Sequence, residues 1–264
     1  MTATVLRTRQ HATPPAGIPL ARVISVELRK TFDTRAGFWL TASIGILAVV
    51  ATVASILFAP EDELTYSTFA TAIGFPMAVI LPMVAILSVT GEWSQRSGLT
   101  TFTLVPHRRR VIAAKAVVSV CVGVVSVLLA FAIGALGNVV GSAIAGVETV
   151  WDATVMDCVY IVLANVLGLL VGFMLGVLIR NSPGAIVGYF VYSLLLPTVL
   201  QVLAGTQEWF RDLRPWVDFS FAQSALFNGS MGAEQWAHLG TAVVLWLVLP
   251  LSAGLWMLMR SEVK

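Results

Sequence analysis

The longest polar interruption in the first half of this chain is Gly91–Lys115, GEWSQRSGLTTFTLVPHRRRVIAAK. Its residue types suit docking rather than bond-making. Glu92 and Arg96 are four apart and can share one face of a helix. Trp93 beside them could anchor that helix in a membrane interface or fill a pocket in a partner. Arg108, Arg109 and Arg110 follow, then Lys115 at the entry to the next apolar block. A basic run of this kind either meets a partner or holds anionic lipid headgroups, the latter at about 1 kcal/mol per charge.

Residues for covalent or metal chemistry are not arranged to do it. The histidines, His11, His107 and His238, are too scattered for a metal cluster, and neither HExxH nor GxSxG occurs. No two acids are set for aspartyl chemistry. A phosphate-binding loop needs Gly-Lys followed by Ser or Thr. The three lysines, Lys30, Lys115 and Lys264, follow Arg29, Ala114 and Val263. An ATPase that energised this chain would be another polypeptide. No cofactor is expected.

The elements that must position the loop are membrane helices. Of 264 residues 58% are hydrophobic and 11% charged, against about half and about a quarter in soluble domains; mean hydropathy is +0.88. The fold class is an all-α integral membrane protein. Crossing about 30 Å of hydrocarbon takes about 20 helical residues, and six segments qualify: 38–58, 69–89, 116–140, 159–179, 184–202 and 239–258. Cys121 and Cys158 lie inside apolar blocks and form no disulfide framework. Residues 1–18, basic and without an apolar core, read as a flexible cytoplasmic tail rather than a signal peptide. The net charge of +2 gives no reason to expect nucleic acid.

Orientation follows from Lys and Arg. With the N-terminus in the cytoplasm, every basic residue except Arg211 and Arg214 falls on the inner side, and most acids fall on the outer. Both termini are then cytoplasmic. Residues 19–33 are amphipathic at helical period, with Leu20, Val23, Ile24, Leu28 and Phe32 on one face, and read as a helix lying in the inner interface. Glu27 sits in the middle of that apolar face. Either it pairs with Lys30 or snorkels, or the face meets protein and Glu27 finds an arginine there.

Pro76 and Pro82 in the second span, Pro197 in the fifth and Pro250 in the sixth each remove a backbone hydrogen bond and can kink the helix. Ala164, Gly168, Gly172 and Gly176 make a small-residue seam for close helix approach. No Lys or Arg lies deep in a span, which argues against ion-coupled transport. Asn138, Asn165, Tyr189, Tyr192 and Gln201 are the notable polar side chains at depth; Tyr189, Tyr192 and Gln201, with Pro76, Pro82 and Pro197, are candidates for a substrate path. The aromatic segment 204–238 predicts one or two short helices in the outer interface, tryptophans at headgroup level and Pro215 as a break.

This layout resembles the membrane subunit of an ABC-2-type exporter. The local likeness is Glu92-Trp93-Ser94-Gln95-Arg96-Ser97-Gly98, then Pro106-His107-Arg108-Arg109-Arg110, then Lys115, with Glu27-Leu28-Arg29-Lys30 resembling the connecting helix before the first span. The resemblance implies that residues 90–115 form a cytoplasmic coupling loop seated in a cleft of a separate ABC ATPase subunit, present in two copies, through Glu92, Trp93, Ser94, Gln95, Arg96 and Gly98, with Glu27 contributing. It also implies a second permease copy or paralogue, export of an amphiphile (lipid, glycan precursor, peptide or drug), and a multi-pass place in a bacterial cytoplasmic membrane. The competing expectation is a membrane-embedded accessory or scaffold protein that binds a cytoplasmic partner and moves nothing. An intramembrane enzyme is the third.

Overall fold

The computed structural model describes residues 19–94 and 108–260. The tail 1–18 lies outside them. The described residues are nearly all helical, with one isolated bridge, Thr65 to Val150, and no strand. The helices are α1 Leu20–Asp33, α2 Arg35–Phe58, α3 Tyr66–Ser94, α4 Arg108–Ala145, α5 Val155–Ile179, α6 Ser182–Phe190, α7 Leu196–Thr206, α8 Glu208–Val217, α9 Phe219–Phe227, α10 Ala233–Val243 and α11 Leu249–Arg260. A π-helical turn, Val191–Leu195, joins α6 to α7, and another, Val244–Val248, joins α10 to α11. Six helical segments are long and apolar enough to cross a membrane: Gly37–Phe58, Tyr66–Gly91, Arg109–Ala145, Val155–Ile179, Ser182–Thr206 and Ala233–Arg260. Each contains one of the expected spans.

Local signals set the breaks. Thr34 leaves helical geometry between α1 and α2, and its hydroxyl accepts from the Gly37 amide at 3.1 Å. Thr154 and Asp157 cap α5 reciprocally, and Arg180 ends it in the left-handed region at φ 54°. Asn181 then caps α6 through the Gly184 amide. One end of the bundle carries Arg109, Arg110, Arg180, Arg260 and α1; this is the basic end. The acidic end carries Glu61, Asp62, Glu63, Glu148 and Asp152, and there the Ser67 amide donates to Asp152 at 2.8 Å.

Helices α3 and α5 run through the middle and separate two apolar clusters, one shared with α2 and α4, the other with α6, α9 and α10. The small-residue seam of α5 makes this possible. A Cβ on Gly172 would stand 2.6 Å from the Pro82 carbonyl oxygen, and one on Gly176 would stand 3.2 Å from Val89. The seam is thus filled from within the same chain.

Pro82, Pro197 and Pro250 are accommodated in two ways. Pro82 cannot donate to the Ala78 carbonyl four residues earlier, and the Tyr189 hydroxyl donates to that carbonyl instead, at 2.7 Å. Before Pro197 and Pro250 the helix widens instead: each π-turn ends two residues ahead of its proline. The carbonyls that a proline ring would crowd, on Ser193 and Trp246, lie inside those widened turns.

The segment between the fifth and sixth spans departs from expectation. Helix α8 folds back along α7, with Arg211 Nε donating to the Ala204 carbonyl, and α9 returns. Pro215 does not end α8, which continues to Val217. At the tip, Trp246 Nε1 donates to the Val217 carbonyl at 2.6 Å, and the Phe219 ring centroid is 6.2 Å from that of Tyr192. Tyr192 and Trp246 lie about 20 Å along their spans from the acidic ends, at about 1.5 Å per residue. The tip therefore sits at mid-span depth, and the segment is a re-entrant hairpin rather than a pair of surface helices. Its apolar face, Phe210, Phe219, Ala222 and Leu226, is buried. Gln223 adds a hydrogen bond to the Ala164 carbonyl at 2.7 Å.

Close approach at Gly172 has a measurable consequence. Gly172→Val forces backbone to part from backbone, and we expect a loss of at least about 1–3 kcal/mol, the range for overpacking. Gly74→Ala, which meets nothing within 4 Å, serves as the control. Thermal unfolding in detergent, with size-exclusion chromatography, distinguishes the two; equal melting temperatures would contradict the packing.

Candidate functional site

The chemistry at the basic end centres on Glu27. In α1 it occupies the apolar face, and the structure buries it at 5% exposure against α4. Its carboxylate accepts from Lys115 Nζ at 2.6 Å on one oxygen and from Lys30 Nζ at 2.7 Å on the other. Both features weighed from sequence are present: the in-helix pair with Lys30 and a face that meets protein. The partner across the interface is a lysine rather than an arginine.

Lys115 is the joint of this end. It also donates to the Ser88 carbonyl of α3 at 2.9 Å, and the Ser88 and Ser119 hydroxyls are 3.1 Å apart. One ammonium thus binds α1, α3 and its own helix α4. Lys115 was grouped by sequence with Arg108–Arg110 as a basic patch for lipid or partner; the structure separates it from Arg109 and Arg110. Lys115 is 4% exposed, whereas Arg109 and Arg110 are exposed. The reason is helical: α4 is already helical at Arg108, about two turns ahead of the apolar block, so Lys115 is carried to the α1 face with Glu27 opposite.

Burial alone would raise the Glu27 carboxyl. The Lys115 charge, with hydrogen bonds from Lys115 and Lys30, outweighs this and holds it below the usual glutamate value of 4.5. A depressed carboxyl stabilises the fold above its unfolded value, and that contribution is lost as pH falls through the folded one. The tie is complete at neutral pH.

α3 and α4 flank residues 95–107. Helix α3 continues without a break through Ser94, so the backbone of Glu92, Trp93 and Ser94 extends the second span. The side chains of these three and of Arg108, and all of Gln95, Arg96 and Gly98, lie outside the described residues. The end of α3 is also tied to the start of α6, where the Thr90 and Ser182 hydroxyls are 2.7 Å apart.

The candidate path residues are not gathered together. Tyr189 and Pro82 are buried at the meeting of α3 with α5 and α6, where Tyr189 is committed to the Ala78 carbonyl. Pro76 and Pro197 are half-buried, and Gln201 is exposed. Tyr192 faces Trp246 with ring centroids 5.6 Å apart, and its hydroxyl is buried without a partner.

Sequence reading missed the ion pair at the hairpin tip. Arg214 Nε donates to Asp218 Oδ2 at 3.0 Å, and Asp218, 1% exposed, caps α9 through the Phe221 amide. Both lie at the tip of the re-entrant hairpin, so ionisable groups do reach mid-span depth, carried on the hairpin and not on a span. The signal was their spacing of four between aromatic neighbours, which marks a paired and buried helix end. Among the described residues no three metal-ligating side chains gather.

No family model matches the chain, and no curated protein matches its sequence.

The Glu27–Lys115 tie predicts an asymmetry. Glu27→Ala takes the carboxylate away from a buried ammonium and is expected to cost about 3–5 kcal/mol, whereas Glu27→Leu with Lys115→Met is expected to be close to neutral. Melting temperatures of the single and double variants decide it; a double variant as unstable as the single would contradict the pair's burial.

Proposed function

We propose that this chain is the membrane-spanning permease subunit of an ABC-2-type exporter, moving an amphiphile outward while a separate ATPase subunit hydrolyses ATP. In this reading the basic end is cytoplasmic, as are both termini. α1 is the connecting helix in the inner interface. Residues 90–115 form the coupling loop, and the membrane is a bacterial cytoplasmic membrane. The observation that carries the reading is the three-way contact of Lys115. The helices on either side of the loop, α3 and α4, and the helix ahead of the first span, α1, are held by one buried charge.

Physically, ATP hydrolysis in a partner can move these spans only through a contact that differs between nucleotide states. A partner that gripped the loop would act on the ends of α3 and α4. Lys115 would pass that displacement to α1, so loop and connecting helix would shift together. Continuity of α3 through Ser94 supports such transmission, because a continuous helix carries displacement into the second span without a slack linker. Glu92, Trp93, Ser94, Gln95, Arg96 and Gly98 are the proposed docking residues, and Arg109 and Arg110 meet partner or anionic lipid. The permease would act as a pair, with a second copy or a paralogue, over two ATPase subunits.

Co-expression with a P-loop ATPase encoded beside this chain tests the proposal. A cysteine at Gln95, with Cys121 and Cys158 replaced, is expected to crosslink to that ATPase with a yield that changes on adding ATP and Mg²⁺. Glu92→Ala and Arg96→Ala are expected to leave the permease inserted at normal abundance and to lower transport-linked ATP hydrolysis by about tenfold, the effect of losing a charged contact of 1–2 kcal/mol. Labelling of Gln95Cys from the outside of intact cells, or unchanged hydrolysis in both variants, would favour the accessory-protein reading.

A further inference from the structure

The Arg214–Asp218 pair has a role to assign. An ionisable side chain at membrane depth is costly unless something there needs it. Helix capping explains Asp218 but leaves most of Arg214 unexplained. The guanidinium uses Nε on Asp218 and stands 4.7 Å from the centroid of the Phe221 ring. Its terminal nitrogens, Nη1 and Nη2, meet no acceptor among the described residues. Arg214 keeps 19% of its side chain exposed, while Asp218 keeps 1%. A carboxylate on Nε fixes the plane of a guanidinium and leaves its outer N–H fork pre-set for two oxygens of one ligand group.

A second donor at the same depth is also unfilled. The Tyr192 hydroxyl is buried without a partner, and its ring lies against Phe219, the residue next to Asp218. Tyr192 sits in one π-turn and faces Trp246 in the other. π-turns mark places where a helix is locally opened, often at functional sites. Around these donors the lining is apolar and aromatic: Phe219, Phe221 and Trp246.

We infer that the tip of the re-entrant hairpin is a binding site for the oxyanion headgroup of an amphiphile. The Nη fork of Arg214 takes two oxygens of a phosphate or carboxylate, the Tyr192 hydroxyl donates to the same group, and the aromatic residues receive the first part of the tail. This deepens the permease reading by naming the cargo's chemistry, and it rests on that reading. Asp218 is the positioning residue: it holds Arg214 in place and neutralises it while the site is empty.

The test uses the full-length chain in dodecyl maltoside, without ATPase, so its outcome is independent of coupling. Dodecyl phosphate, dodecanoate and uncharged dodecanol are added in turn, and bound adducts are counted by native mass spectrometry. Adducts are expected with dodecyl phosphate or dodecanoate and not with dodecanol. Preference for the phosphate would mark a lipid-like headgroup, and preference for dodecanoate a carboxylate cargo; either upholds the site.

Arg214→Gln with Asp218→Asn keeps a hydrogen-bonding pair in place and is expected to reduce anionic adducts about tenfold, and Tyr192→Phe about threefold. Should the double variant not fold, Arg214→Lys decides, because it keeps the charge and loses the fork; a fall of about threefold supports the site. Undiminished adducts in a folded double variant, or in Arg214→Lys, would overturn the proposal. So would a loss seen only with Arg109→Gln and Arg110→Gln, which would place the anion at the basic end. Failure here with the Gln95 crosslink intact would refute the headgroup site and leave the coupling proposal standing.

Discussion

A single buried ion pair governs how the basic end of this molecule is built. Glu27 and Lys115 are each almost wholly withdrawn from solvent, and neither could remain so alone, because an unpaired charge in such a place costs several kcal/mol. The pair therefore requires α1 to lie on α4. Lys115 also reaches the Ser88 carbonyl, which brings α3 into the same joint. Residues 95–107 leave from one of these helices and return to the other. Any force applied to that loop meets a coupled set of helices rather than three separate ones.

The rest of the architecture answers a second constraint, that backbone polar groups at membrane depth must be satisfied internally. Pro82 frees a carbonyl and Tyr189 takes it up; the glycine seam of α5 lets α3 come close enough for that exchange to be buried. Pro197 and Pro250 are met by widened turns. The hairpin between the fifth and sixth spans can enter the bundle because Trp246 and Gln223 hold it by hydrogen bonds and because Arg214 and Asp218 neutralise each other. Buried charge is tolerated for the same reason at the basic end and at the hairpin tip: it is paired.

The spans were legible in the sequence because length and apolarity are properties of single segments. Their pairing was half legible. Glu27 announced itself by breaking an apolar stripe, and that anomaly left open an in-helix pair with Lys30 and a protein contact, both of which are present. Its partner could not be read, since Lys115 lies 88 residues away and looked like one more member of a basic run. Only the helical phase of α4 separates it from Arg109 and Arg110. The re-entrant hairpin was misread for a related reason. Arg211 and Arg214 were counted one at a time as outer-side charges, whereas the spacing of Arg214 and Asp218 makes a neutral unit. The π-turns left no signal beyond their prolines, and a proline alone does not say whether the helix will bend, widen or borrow a hydroxyl. Of the proposed docking residues, Glu92, Trp93 and Ser94 have their backbone placed by continuity with α3; Gln95, Arg96 and Gly98 lie outside the described residues.

Rigidity of the joint is the property on which the proposed coupling depends most directly. Spin labels at Ser25 on α1 and Val117 on α4, both exposed, report it by double electron–electron resonance, with Cys121 and Cys158 replaced and the proposed ATPase partner added. If Lys115 unites the helices, the distance distribution is narrow and identical with and without ATP and Mg²⁺, and it broadens in Lys115→Met. A distribution in the unmodified joint that shifts or broadens with nucleotide would show that α1 moves independently of α4, and would contradict transmission through Lys115.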